Sequence, residues 1–164
     1  MPRESSPREQ LPLEVLMKFR VIVSAVKRHF KWVEQQCGIN GAQLWALWEI
    51  GRARGLRVND LARALAMHQS STSNLVDKLV KSRLVARHRS TDDQRVVRLL
   101  LTPKGTTLLR RAPKPARGIL PEALYRLPLP ALSQLDRSLM RVLREMSAAD
   151  RGAMAQPLAR ILGE

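Results

Sequence analysis

The sequence predicts a mainly α-helical fold with one small β-hairpin near the middle of the chain. Apolar residues recur at steps of three and four over 11–36 and again after 103, the spacing of helices that bury one stripe. Between 84 and 101 this spacing changes to two runs of β-forming residues around a polar turn. The 164 residues suffice for one domain with its own core, or for a subunit whose core a partner completes.

The first predicted helix covers 11–36 and is too long for a small domain to bury. Its apolar stripe consists of Val15, Phe19, Ile22, Val26, Phe30 and Val33. The polar residues 1–10 are expected to form a disordered tail. Asn40 and Gln43 then have the spacing of a capping box, which predicts the start of a second helix.

Two short helices should follow, separated by a turn at 66–68. Asn59 is expected to cap the first of them, and the second should run over 69–82. The second helix has an apolar face made of Thr72, Leu75, Val76 and Leu79. Its other face carries Gln69, Ser70, Ser73, Asn74 and Asp77, with Lys78 and Lys81 behind them.

This polar face favours contact with nucleic acid. Short hydroxyl and amide side chains are poor helix formers, so their cluster in a first turn calls for a reason. Gln and Asn can bond adenine edges in a major groove, Ser can bond base edges or phosphates, and the lysines can bind phosphates. An ordinary polar helix start is the alternative interpretation.

The β-forming runs 84–89 and 96–101 predict a hairpin with its turn at 90–94. Arginines surround the turn at 87, 89, 95 and 98. Asp93 lies two residues before Arg95 and could hold that guanidinium extended, so that Arg95 can enter a narrow minor groove. Arg87 and Arg89 would contact the same DNA. Residues 56–58 could add a third short strand.

Helix, turn, helix and charged hairpin in this order form a winged helix-turn-helix, and residues 61–105 closely resemble the MarR family of bacterial transcription regulators. The resemblance implies an obligate homodimer whose recognition helix begins with 69–77. It also implies that Asp93 and Arg95 are the Asp-x-Arg motif of the wing. The chain departs from the family pattern at four positions: Arg83 replaces a usual glycine, Ser90 a common Asp, and Gln69 and Asn74 a frequent Arg.

Charge supports a polyanionic partner. The net charge is +15 and the sequence pI is about 11.5, and residues 52–111 alone carry fourteen Lys and Arg against four Asp. A solvated basic surface is the alternative, but solubility gives no reason to concentrate charge on the helix-hairpin unit. No apolar run approaches the roughly 20 residues that span a bilayer, and the N-terminus lacks a signal-peptide core, so a cytoplasmic protein without membrane contact is expected.

The C-terminal third should be helical and interrupted by prolines. Thr102 can cap a helix that has Pro103 at its first position, and Pro113 and Pro115 should break it near 111–116. A turn at 128–130, a final major helix and a short helix broken at Pro157 follow. We therefore expect dimerisation helices at 11–36 and 103–164 around a DNA-binding unit at 37–102, with the termini of two subunits interlaced.

Several residues leave alternatives open. Trp45 and Trp48 could line an effector pocket or pack in the core. Cys37, the single cysteine, could sense oxidants, as in some members of the resembled family, or be a plain thiol at a helix end. His29 is expected on the polar side of the first helix. The three histidines lack metal-ligand spacing and no catalytic motif is present, so we expect no enzyme activity, metal or cofactor.

Two functions compete. The first is a homodimeric regulator that binds a palindromic operator in double-stranded DNA, as a repressor that a small molecule could release. The second is a non-specific nucleic-acid-binding or architectural protein without an effector. A large preference for one palindrome over random duplex would distinguish them.

Overall fold

The computed structural model describes residues 7–89, 96–146 and 151–161 and places helices around one short hairpin. The elements, in chain order, are α1 (Pro7–Cys37), α2 (Gly41–Arg52), α3 (Val58–Ala64), α4 (Gln69–Lys81), β1 (Val85–Arg89), β2 (Val97–Leu101), α5 (Pro103–Arg111), α6 (Ile119–Arg126), α7 (Leu129–Glu145), a 3-10 helix (Arg151–Ala155) and α8 (Leu158–Ile161). This order confirms the mainly α-helical fold with a small β-wing.

Helix α1 begins four residues before the predicted start, so residues 7–10 are helical and not part of a tail. Pro7 suits the first helical position, where its missing N–H breaks no hydrogen bond. Pro12 lies inside the helix without ending it. Only the C-terminal half of the apolar stripe is covered by this chain, since Val26 and Val33 are buried whereas Ile22 and its N-terminal neighbours are exposed.

Helix α2 forms the centre of the core and starts at the predicted capping box. The Gln43 amide donates to Asn40 Oδ1 over 2.9 Å, and the Asn40 amide donates to Gln43 Oε1 over 3.0 Å. Leu44, Leu47 and Ile50 are fully buried against α3, α4 and the hairpin. The capping box therefore sets where the main core helix begins.

Helices α3 and α4 form the predicted helix-turn-helix, with one correction. The residue that caps α3 is Arg57, without a side-chain bond, so Asn59 lies within the first turn and the prediction that it is the cap was wrong. The Leu99 amide on β2 donates a hydrogen bond to the carbonyl of Leu56, just before the cap. This contact fixes the chain where α3 begins, although no side chain caps the helix. Ala66 makes the turn to α4 with a φ of 51°.

The hairpin pairs β1 with β2 antiparallel, from Val85 opposite Leu101 to Arg89 opposite Val97. The predicted third strand is reduced to one bridge between Leu56 and Leu99, because Val58 already belongs to α3. Leu99 is fully buried. The base of the hairpin is therefore anchored in the core.

Helix α4 ends at the position where the resembled family usually has glycine. Arg83 adopts a left-handed φ of 58°, a conformation that glycine tolerates better than any other residue. The Thr102 hydroxyl donates to the Arg83 carbonyl over 2.7 Å and also accepts from the Gly105 amide over 3.0 Å, so Thr102 caps α5 as predicted. One side chain thus joins the end of α4 to the start of α5.

The C-terminal third follows the proline pattern. Helix α5 ends at Arg111, and α6 begins at Ile119 after the predicted break. Pro128 caps α7, but Pro130 lies in its first turn and not in the preceding loop, since a proline there loses no hydrogen bond. Pro157 separates the 3-10 helix from α8 as expected, and the tail contacts the turn before α4, where the His68 amide donates to the Ala155 carbonyl over 3.2 Å.

No helix in the described ranges has the length and apolar character needed to cross a bilayer. Large apolar side chains are nevertheless exposed along α7 and the first half of α1. Those of α1 are Leu11, Leu13, Val15, Leu16, Met17, Phe19, Val21, Ile22 and Val23, and those of α7 are Leu129, Leu139, Met140, Val142 and Leu143. A single chain leaves this surface, which we call the α1–α7 apolar surface, uncovered.

Candidate nucleic-acid interface

Helix α4 has one buried and one exposed face, as its sequence pattern predicts. Thr72, Val76 and Leu79 are fully or almost fully buried, and Leu75 is buried beside them. The Thr72 hydroxyl donates to the His68 carbonyl over 3.0 Å, which satisfies the one polar group on the buried face. The core thus fixes the rotation of α4 about its axis.

That rotation turns the polar residues outward. Gln69, Ser70 and Asn74 are exposed and Ser73 is half-buried. They occupy the first turn and a half of the helix, the part from which side chains reach a groove floor in helix-turn-helix proteins. The structure therefore brings all four predicted base-contacting residues together on one surface.

Positive side chains flank this polar surface. Lys78 and Lys81 are exposed in the last turns of α4, and Arg89 is exposed on β1. Arg87 is also exposed, but its Nη2 lies 2.7 Å from Asp77 Oδ1, so this guanidinium is paired with the recognition-helix candidate itself. The ion pair links β1 to α4 and was not predicted from the sequence, because the pairing depends on the hairpin register.

The tip of the hairpin, 90–95, lies outside the described residues. The predicted wing contacts Asp93 and Arg95 therefore remain predictions. Arg98, at the start of β2, donates from Nη1 to the Gly55 carbonyl over 3.3 Å, so this arginine of the predicted wing set is tied to the base of the hairpin.

A cavity of about 210 Å³ lies between α1, α2, the α3–α4 turn and the start of α6. Trp45 lines it together with Phe30 and Met67, and the C-terminal tail contributes Met154 and Leu158 to the wall. Trp48 does not line this cavity. The two tryptophans therefore have different surroundings, although both pack against the hydrophobic core.

Trp48 instead stacks with arginines. The Arg117 guanidinium carbon lies 4.4 Å from the centroid of its ring, and that of Arg52 lies 5.2 Å from it. Arg52 also pairs over 3.0 Å with Glu49, a buried carboxylate that accepts from Trp45 Nε1 over 3.1 Å. Sequence reasoning missed Arg117 because it lies far along the chain, whereas the i,i+4 and i,i+3 spacing of 45, 49 and 52 could have suggested the rest.

His29 is buried, and the expectation that it lies on the polar side of α1 was wrong. It is 6% exposed because α6 and the preceding loop cover this part of the helix. Burial lowers the pKa of its imidazole from the usual 6.5, and a hydrogen bond with the Pro115 backbone partly opposes the shift. Its Nε2 has no hydrogen-bond partner among the described residues, and the residue lines the cavity.

Cys37 ends α1 and is half-buried. Burial raises the pKa of its thiol, with a smaller opposing effect from Arg111. A raised pKa keeps the sulfur protonated, which disfavours the reactive thiolate that an oxidant sensor needs. In the part of the chain that the structure describes, no group of three or more His, Cys, Asp or Glu side chains could hold a metal ion.

Residues 38–96 match the family model of the MarR family. The transcriptional repressor MdtR of Bacillus subtilis is 25% identical over 97 residues, 59% of this chain and 63% of that protein, so less than two thirds of this relative is spanned. The uncharacterized transcriptional regulator YsmB of the same species is 23% identical over 142 residues, 87% of this chain and 97% of its own. These relatives are transcriptional regulators and not enzymes.

Solved structures share the fold. A MepR-like protein complexed with pseudoligands has a TM-score of 0.57 and 23% identity, and the match covers 79% of this chain and 91% of that one. A MepR mutant of S. aureus bound to an oligodeoxyribonucleotide has a TM-score of 0.51 and 24% identity, with 81% and 98% covered. The family match over residues 38–96 makes the helix-turn-helix and first hairpin strand similar to the MarR family, and the solved structures share the winged helix-turn-helix fold of this chain.

Proposed function

We propose that this chain is a homodimeric, sequence-specific repressor that binds an inverted-repeat operator and is released by a small molecule. The observation that carries the proposal is the surface of α4, whose polar first turns are exposed while the core holds the opposite face. A merely basic, non-specific binder would need the lysines and arginines but not the cluster of amide and hydroxyl groups.

In this proposal α4 lies in the major groove. Gln69, Ser70, Ser73 and Asn74 contact base edges, because amide and hydroxyl groups can pair with the donor and acceptor pattern displayed there. Lys78 and Lys81 would bind phosphates and supply affinity without sequence preference.

The hairpin would act as the wing over the adjacent minor groove. Arg89 and Arg95 would contact DNA there, with Asp93 orienting Arg95. Arg87 would sit at the junction of the two contacts, since its pairing with Asp77 keeps it between α4 and β1. Because Asp77 balances the charge of Arg87, Arg89 and Arg95 would be the main cations of the wing.

Dimerisation follows from the α1–α7 apolar surface. So many exposed apolar side chains on two helices are unusual for a monomer, and a two-fold axis would pair the same residues from each chain. We assign 37–102 to the DNA-binding unit and 11–36 with 103–164 to dimerisation. Two α4 helices related by the axis would address half-sites about one helical turn apart.

The cavity beside Trp45 is the place we propose for an effector. Its wall is mainly apolar, and it lies between the dimerisation helices and the turn that precedes α4. A ligand bound there would change the position of α4 relative to the two-fold axis and so weaken operator binding. We propose repression because the relative MdtR is a repressor. In that case the protein without ligand would bind its operator, and ligand binding would release it.

Selection from a random duplex library with the purified full chain tests the function. The expected result is an inverted repeat that competes at least about a thousandfold better than random duplex. Asn74→Ala should alter the selected bases, whereas Lys78→Ala should leave the consensus unchanged. A selection without consensus, with equal competition by every duplex, would favour the non-specific alternative and overturn the proposal.

A further inference from the structure

We propose that Arg117 is a positioning residue that clamps α6 onto α2 and thereby sets the distance between the two α4 helices of the dimer. The proposal rests on the function proposed above, since it concerns how a dimer matches its half-sites. It assigns a role to a residue outside the DNA-contacting surface.

The Arg117 guanidinium lies between two aromatic rings. Its central carbon is 4.4 Å from the centroid of Trp48 on α2 and 4.2 Å from that of Tyr125 on α6. Its Nε lies 3.5 Å from Glu122 Oε2, and the side chain is only 18% exposed. Arg117 therefore contacts both helices at once, and its charge is paired with Glu122, although its buried Nε makes no hydrogen bond to the described residues.

The clamp is anchored in the core of the DNA-binding unit. Arg52 also lies over the Trp48 ring and pairs with Glu49, which is 4% exposed and is held in turn by Trp45 Nε1. The buried carboxylate of Glu49 holds Arg52 and Trp45 in place, because a buried carboxylate without partners would lower the stability of the fold. Trp48 is thus a fixed point on α2 and not a mobile surface ring.

Because of its position, the clamp could affect the orientation of α4. Helix α6 packs on α1, and α2 packs on α1, α3, α4, α5 and β2. The chain already joins α1 to α2 at 38–40, and Trp48 lies seven residues beyond Gly41, roughly 10 Å along the helix. The clamp adds an attachment at that distance to the direct packing of α1 on α2, and so limits rotation of α2, and of α4 with it.

Operators with altered spacing test this role. Affinity would be measured for the selected inverted repeat and for versions with one base pair added or removed between the half-sites. Wild type should prefer the native spacing, and Arg117→Ala should lose up to about twenty-fivefold of that preference, since it removes two cation–π contacts that each change an equilibrium by about two- to fivefold.

Two further variants test whether the stacking of Arg117 is responsible for the effect. Arg117→Lys should behave like the alanine variant, because an ammonium cannot stack flat between two rings. Arg126→Ala is the matched control. It removes an arginine on α6 that pairs with the same Glu122 over 3.1 Å, yet Arg126 is not stacked on Trp48, so the spacing preference of this variant should equal that of wild type.

A measurement without DNA checks the clamp itself. In a Trp32→Phe background, which keeps the hydrogen bond from Trp45 to Glu49, acrylamide quenching of the Trp48 component of the fluorescence should increase with Arg117→Ala and stay constant with Arg126→Ala. Thermal melting of every variant controls for loss of folding.

The outcomes separate this proposal from the one it rests on. An Arg117→Ala protein that binds all spacings more weakly but keeps the native preference would overturn the clamp alone, as would unchanged quenching of Trp48. Absence of any spacing preference in wild type would overturn the dimeric operator, and the spacing role with it. Loss of preference in both Arg117 variants, with Arg126→Ala unaffected, supports the clamp.

Discussion

A charge placed on the apolar stripe of α1 should abolish the dimer. Ile22 is 41% exposed in the single chain, and we propose that a partner covers this remaining area. Covering it contributes about 1 kcal/mol, since full burial of an isoleucine side chain stabilises by about 1.5–3 kcal/mol. Ile22→Glu loses that contribution and places a carboxylate in the interface.

The added carboxylate sets most of the cost. Protonating it so that it enters the interface uncharged costs about 3.7 kcal/mol at pH 7 for an ordinary Glu pKa of about 4.3, and desolvation of the neutral carboxyl group adds to this. Each chain then loses at least about 4 to 5 kcal/mol, and the two-fold axis doubles the loss. A total near 9 kcal/mol raises the dissociation constant by about six orders of magnitude.

Sedimentation velocity at micromolar concentration measures the effect, with a gel-shift titration beside it. Gln35→Glu is the control, because it adds the same charge at an exposed position of α1 twelve residues beyond Val23, the last α1 residue of the α1–α7 apolar surface. The control should stay dimeric and bind DNA. An Ile22→Glu protein that remains a dimer and binds its operator fully would show that the reasoning about this surface is wrong.

Three further predictions concern DNA contacts and pH. Arg95→Ala should weaken operator binding by about 1–3 kcal/mol in a gel-shift titration and leave the dimer intact, and an unchanged affinity would remove the wing from the interface. Lys78→Ala should weaken binding to all duplexes alike and lower the salt slope by about one, whereas Asn74→Ala should relax base preference without changing that slope. Because the folded state lowers the pKa of His29, the unfolded state takes up a proton first as pH falls below about 6.5, so the free energy of unfolding should decrease there. Urea titrations at pH 7.5 and 5.5 should show a smaller decrease in His29→Leu, and an equal decrease in both proteins would contradict the assignment.

The elements that sequence reasoning predicted well are those specified by neighbouring residues. The capping pair Asn40 and Gln43, the Thr102–Pro103 helix start and the two faces of α4 each depend on spacings of four residues or fewer. Such signals need no knowledge of the fold. They place the polar surface of α4 on the outside before any tertiary contact is considered.

What the sequence could not reveal depends on distant parts of the chain meeting. Asn59 looked like a cap, but the bridge of Leu56 to Leu99 starts α3 earlier. His29 looked exposed, because its helical position is polar on one side and the covering segment comes more than eighty residues later. The contact between Arg117 and Trp48 could not be predicted from the sequence around either residue, because the two lie 69 residues apart.

The left-handed backbone at Arg83 affects the stability of the fold. Glycine would adopt that conformation freely, so arginine there lowers the stability of the fold by up to about 1 kcal/mol. In return the chain keeps a cation at the junction of α4 and β1. Arg83→Gly should therefore stabilise the fold by up to that amount and remove this cation at the same time.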